Sequence, residues 1–122
     1  MVKLKRAYEA PAPTDGQRIL VDRLWPRGVK KTEAHLEAWL KDLAPSTELR
    51  QWFDHNPERW PEFQRRYQEE LAAPEKAGLL DDLAALARQG TVTLVFAAKD
   101  QERNNAVVIK SFLEERLGPA PG

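Results

Sequence analysis

Two apolar runs, "RILV" (Arg18–Val21) and "TVTLVFAA" (Thr91–Ala98), constrain the fold of this 122-residue chain more than any other feature. Both are short, rich in β-branched residues and apolar almost throughout, with no regular polar alternation. A strand with one wet face alternates. A strand that stays apolar is covered on both faces, as in a parallel sheet flanked by helices. The two runs therefore predict a buried, parallel pair. "VKLKRAYE" (Val2–Glu9) alternates imperfectly, Val2, Leu4 and Tyr8 against Lys3, Lys5 and Glu9, and predicts a first strand near a sheet edge.

The apolar spacing between these runs is helical. Thr32 is a candidate N-cap for a helix bearing Leu36, Trp39, Leu40 and Leu43 on one stripe. Ser46 is positioned to cap a second helix with Leu49, Trp52 and Phe53 inward. Pro57 suits the start of a turn, and Pro61 would break a helix begun at Asn56, so the next helix is expected from Pro61 with Phe63, Tyr67 and Leu71 inward. "PEKAGLLDDLAALARQG" predicts another, with Leu79, Leu83 and Leu86 inward and Gly90 past its end, and "NNAVVIKSFLEERLG" the last. The expected fold is a small Rossmann-like three-layer α/β sandwich, its short, mostly parallel sheet interrupted by a helical excursion. One domain over residues 1–118 and a loose tail at 119–122 are expected.

Basic and acidic residues balance at 19 each, so the formal net charge is zero and bulk electrostatics favours neither nucleic acid nor membrane. The chain has no cysteine, which removes disulfides, thiolate catalysis and thiolate-bound zinc together. His35 and His55 are too few for a histidine-rich metal site. No apolar run is long enough to span a bilayer, and the first residues lack the apolar core of a secretory signal, so a cytoplasmic protein is expected. The P-loop, GxGxxG, HExxH and GxSxG patterns are absent, and no cofactor or metal is expected.

Ligands of open parallel sheets bind where the strands' carboxyl ends meet loops and helix N-termini. "DRLWPRG" (Asp22–Gly28) follows one buried strand and "KDQERNN" (Lys99–Asn105) the other, so adjacent parallel strands would bring both to one rim. Charges at such a place are costly unless paired. Asn104 or Asn105 is positioned to cap the last helix, whose free amides favour phosphate or carboxylate. Arg23, Arg27, Lys99 and Arg103 are candidates to surround the same anion, arginine offering two parallel donors. Trp25 is a candidate wall for a base or ring, and Trp25–Pro26 a candidate cis bond. Asp22 and Asp100 are candidate general bases, or carboxylates that orient the arginines. His55, in "FDHNPERW", reads as cap and turn chemistry, and the other aromatic residues fall largely on helical stripes, as core residues do.

Taken in order, "DGQRILVDRLWPRG", "PSTELRQWFDHNPERWPEFQRRYQEEL" and "GTVTLVFAAKDQERNNAVVIKSFL" resemble the YeaO-type family of small bacterial proteins over about Lys3 to Leu117. The resemblance implies a compact α/β domain of the bacterial cytoplasm and assigns no reaction. Its signature positions fall here on Asp22, Arg23, Trp25, Pro26, Arg27 and Gly28, on Ser46, Thr47, Glu48, Leu49 and Arg50, and on Lys99, Asp100, Asn104 and Asn105. Glu48, Arg50 and His55 are taken as a supporting network behind the site. Where the family commonly reads acidic-His-Asn, this chain has Glu102, Arg103 and Asn104, which weakens any mechanism needing a histidine there. Three readings follow. One is a site for a nucleotide or phosphorylated small molecule, and another a nucleic-acid accessory module with Trp25 stacked on a base. The third is a non-catalytic scaffold in which Arg27 and Glu48 pair.

Overall fold

The computed structural model describes residues 1–118; the tail expected at 119–122 lies outside them. Four strands, β1 (Val2–Arg6), β2 (Gln17–Leu20), β3 (Ala38–Trp39) and β4 (Val92–Phe96), form one sheet in the order β1-β4-β2-β3. Every pairing is parallel, with Leu4 and Ile19 both opposite Leu94. All five residues of β4 are buried, and β1 lies at an edge. The expected pair of covered, adjacent parallel strands is therefore β2 and β4.

Side chains alternate across a sheet, so the two faces can be read from the register. Val2, Ile19, Val92, Leu94 and Phe96 join the main core with residues of helices α2 (Thr47–Phe53), α3 (Trp60–Leu71), α4 (Ala77–Gln89) and α5 (Asn105–Leu117). The other face carries Lys5, Arg18, Leu20, Thr93 and Val95 and is closed by the segment around Asp15 and by the short helix α1 (Lys31–Ala34). The result is a small three-layer α/β fold.

Local chemistry explains most boundaries. The Ser46 hydroxyl accepts the Leu49 amide and opens α2, and Asn56 caps the turn begun by Pro57. Phe63, Tyr67 and Leu71 are buried along α3 as their spacing predicts, and the Tyr67 hydroxyl donates to the Leu43 carbonyl. In α4 Leu83 is buried as expected, but the buried stripe is completed by Leu80, Ala84 and Ala87, with Leu79 and Leu86 half-buried at its margin.

The segment from Thr32 to Leu43 departs from expectation. Helix α1 starts at Lys31 and stops at Ala34, because His35 takes a left-handed conformation (φ 51°). Ala38 and Trp39 then pair with Ile19 and Leu20 as an edge strand. The Glu37 amide donates to the Arg18 carbonyl (2.8 Å) and the Leu40 amide to the Leu20 carbonyl (2.9 Å). The spacing of Leu36, Trp39, Leu40 and Leu43 fits a helix, but an unpaired edge of β2 offers these residues backbone partners that a helix would forgo.

Candidate functional site

Strands β2 and β4 end side by side, and their exit loops are tied together. The Val21 amide donates to the Val95 carbonyl (3.1 Å), and one Asp22 carboxylate oxygen accepts the Ala97 amide (2.9 Å). The other accepts the Asn105 side-chain amide (3.0 Å), which also donates to the Val21 carbonyl (3.0 Å). Asp22 thus joins the first residue beyond β4 and the first residue of α5 to its own loop. Burial pushes its carboxyl above the ordinary value, against the Asn105 and Ala97 donors and the charge of Arg50.

Between these loops and α2–α3 lies a cleft of about 680 Å³, within the size range of small-molecule sites. Asp22, Arg23, Leu24, Trp25, Pro26 and Arg27 line one side, and Ala97, Ala98, Lys99, Asp100, Asn104 and Asn105 another. Ala44, Pro45, Arg50, Phe53, His55 and Phe63 complete it. The two polar sequence clusters therefore share one rim. Arg50 lines the cleft from α2 itself, and His55 from the two consecutive left-handed residues that end the helix, Asp54 (φ 46°) and His55 (φ 53°), a chain reversal no periodicity signals.

The polar groups of the cleft divide by sign. Among the described residues Arg23, Arg27, Arg50 and Lys99 take part in no ion pair, and the Arg23 Nε is buried without a hydrogen-bond partner. The carboxylates are engaged. Asp100 accepts the Glu102 and Arg103 amides and the Arg103 Nε (2.9 Å), and the Glu102 amide, with those Arg103 donors, holds its carboxyl below the ordinary value. Asn104 caps α5 by accepting the Val107 amide (3.0 Å) and donates to the Asp100 carbonyl (2.9 Å).

A family model described as "Inactive DUF488-N3 subclade" matches residues 1–120. The chain belongs to the DUF488-N3i family. An uncharacterized protein of Mycobacterium tuberculosis is 44% identical over 115 residues, 94% of this chain and 95% of the relative. The uncharacterized protein YeaO of Escherichia coli is 42% identical over 112 residues, 92% of this chain and 96% of its own. No solved structure matches.

Within this DUF488-N3i chain, Arg103 and Glu48 are the two candidates that do not line the cleft. Arg103, just before the Asn104 cap of α5, is held against Asp100. Glu48 is exposed on α2, beside a separate shallow groove with Ser46, Trp52, Arg66 and Glu70. The expected Arg27–Glu48 pair does not form, because Arg27 projects from the β2 exit loop and both side chains are exposed. Trp25–Pro26, a candidate cis bond, is trans, no cis bond occurring among the described residues. The reversal is supplied by Gly28 at φ 81°, with the Val29 amide on the Pro26 carbonyl (3.3 Å). Trp25 donates its Nε1 to the Val29 carbonyl (2.7 Å) and packs edge-on against Trp39 (5.4 Å, 70°), which donates to the Asp22 carbonyl (2.7 Å).

Asp22→Ala should cost about 1–3 kcal/mol, because the Ala97 and Asn105 donors lose their acceptor. The folded state holds the Asp22 proton more tightly than the unfolded chain, so wild-type stability from this group falls as pH rises from about 3.9 through the raised folded value. Urea unfolding at several pH values checks both: the variant should be less stable at neutral pH and lose that falling component.

Proposed function

We propose that the rim cleft binds a small organic anion, of the nucleotide or phosphorylated-metabolite class, and holds it without converting it. The observation that carries this reading is the sign of the cleft. Among the described residues, four cationic side chains line it outside any ion pair, whereas both lining carboxylates are occupied by donors. An anion would neutralise that imbalance, and arginine suits its bidentate recognition. The placement, at the carboxyl ends of parallel strands, is that of Rossmann-like ligand sites and supports the reading by analogy of position.

Binding without turnover has separate support. The matching family is described as inactive. Asp100, a candidate base, has its carboxylate taken by three donors and its basicity reduced. Arg103 stands where the YeaO-type pattern commonly has histidine, and a guanidinium does not exchange protons near neutrality. Asp22 fits a positioning role. A nucleic-acid module has less support, since the Trp25 indole is already packed on Trp39 and has the Lys31 ammonium 5.8 Å from its ring centre.

The test is calorimetric titration with adenosine monophosphate at low and moderate salt. Saturable binding that weakens with salt is expected, and Arg27→Ala should reduce affinity about tenfold, one charge-assisted contact's worth. Arg27 is exposed and makes no hydrogen bond among the described residues, so the variant should melt as the wild type does. Unchanged affinity in Arg27→Ala, or no binding by the wild type, overturns the reading.

A further inference from the structure

The walls of the cleft and the position of its buried donor say more about the ligand than its sign does. Arg23 lines the cleft, yet its Nε is fully buried and bonded to nothing. Arg23 is partly buried where it lines the cleft, whereas Arg27 and Lys99 are exposed. The surfaces beside it are apolar: Phe53 and Phe63 stack at 4.4 Å and 24°, and Pro26 and Pro45 are buried opposite exposed Leu24.

A buried donor left unbonded, as the Arg23 Nε is, is destabilising. Folding alone gives no reason to keep it. An acceptor-only group supplied by a ligand would pair with the guanidinium where Arg23 lines the cleft, in a setting of low polarity, where a charge-assisted bond is strongest. A freely hydrated ion such as inorganic phosphate gains nothing from apolar walls, whereas a flat hydrocarbon or heteroaromatic body does.

From this arrangement we infer that Arg23 anchors the anionic head of the ligand, and that the ligand class is an aromatic or similarly flat organic anion with one compact phosphate or carboxylate. The inference deepens the proposed function and rests on it. Arg27 and Lys99 then make the outer contacts at the mouth, where exposed charges also accelerate encounter.

The experiment compares inorganic phosphate with phenyl phosphate by calorimetry on the wild-type chain, then repeats it on Arg23→Met. Phenyl phosphate should bind at least about tenfold more tightly, the buried ring accounting for the difference. Arg23→Met should lose at least about tenfold in phenyl phosphate affinity while its Tm rises by about 2–4 °C, since an unsatisfied donor is replaced by an apolar chain of similar length. Arg65→Ala, on the outer surface of α3, should bind as the wild type does. Equal affinity for the two phosphates overturns the ligand class while leaving anion binding intact. Undiminished binding in Arg23→Met overturns the anchor. Failure of phenyl phosphate, inorganic phosphate and adenosine monophosphate to bind at all overturns this inference and the proposed function together. The first comparison needs no variant, so a substitution that impairs folding leaves the ligand class testable.

Discussion

Gly16→Ala is expected to remove about 3 kcal/mol or more from a domain whose total stability lies in the range of about 5–15 kcal/mol. Gly16 joins the turn after Pro13 to β2 at φ 62° and ψ −130°, a region in which L-residues are strained. A Cβ there would sit 2.2 Å from the Thr91 carbonyl oxygen and 2.9 Å from its carbon. That oxygen accepts the Gln17 amide at 3.0 Å, in the first bond between β2 and the chain entering β4. Relief would have to come from backbone at the centre of the sheet. Urea unfolding should show a lower midpoint with a largely unchanged slope. A variant as stable as wild type would mean that the turn rearranges freely.

Arg18→Met should cost about 3–5 kcal/mol, the usual result of leaving one member of a buried ion pair alone. Arg18 and Asp15 are each 4% exposed and meet at 2.6 Å, and Arg18 Nε also donates to the Ala34 carbonyl (3.0 Å). Burial tends to raise the Asp15 carboxyl, but the Ala12 amide, Lys5 and Arg18 outweigh it and hold it below the ordinary value. A depressed carboxyl contributes stability that is complete above the unfolded value of about 3.9 and disappears as pH falls through the folded one. The wild type should therefore lose stability in acid over that window. In Arg18→Met the Asp15 carboxyl loses a cation, so its acid transition should begin at higher pH. Denaturant melts at neutral pH and near pH 3 check both parts: equal losses of stability by the two proteins would contradict this account. Because Gly16 lies between these two residues in sequence, the two substitutions should not add.

The parts of the fold legible in the sequence are those where one local rule acts without competition. β4 reads correctly because an unbroken β-branched run has no other good use, and Ser46, Pro57 and Asn104 read correctly because caps act within three residues. The shared rim follows from β2 and β4 being parallel neighbours, which their composition alone implied. What remained hidden depends on distant partners. Trp39 has helical spacing to its neighbours but finds Leu20 and the Asp22 carbonyl across the sheet edge. Arg50 looks like any exposed helical arginine until the packing of α2 beside the two exit loops brings it to the cleft, and His55 is placed there by the Asp54–His55 reversal. Arg103 resembles the cationic residues of the cleft in type, but Asp100 lies three residues before it and claims it first. The unbonded Arg23 Nε has no sequence signature, since a missing partner is visible only in three dimensions.

The strand order β1-β4-β2-β3 has a consequence for how the chain acquires its shape. β1 and β2 are consecutive in sequence yet do not pair; each has β4 as its neighbour, from Lys3↔Thr93 to Leu20↔Val95. Until residues 92–96 are available, a nascent chain can pair β2 only with the two residues of β3 and leaves β1 without a partner, and α2, α3 and α4 must form first or wait. Closing so long a loop costs entropy before any pairing repays it, which slows folding relative to a chain of local contacts. The central strand, last of the four to be made, is thus the step on which sheet, core and rim assemble together.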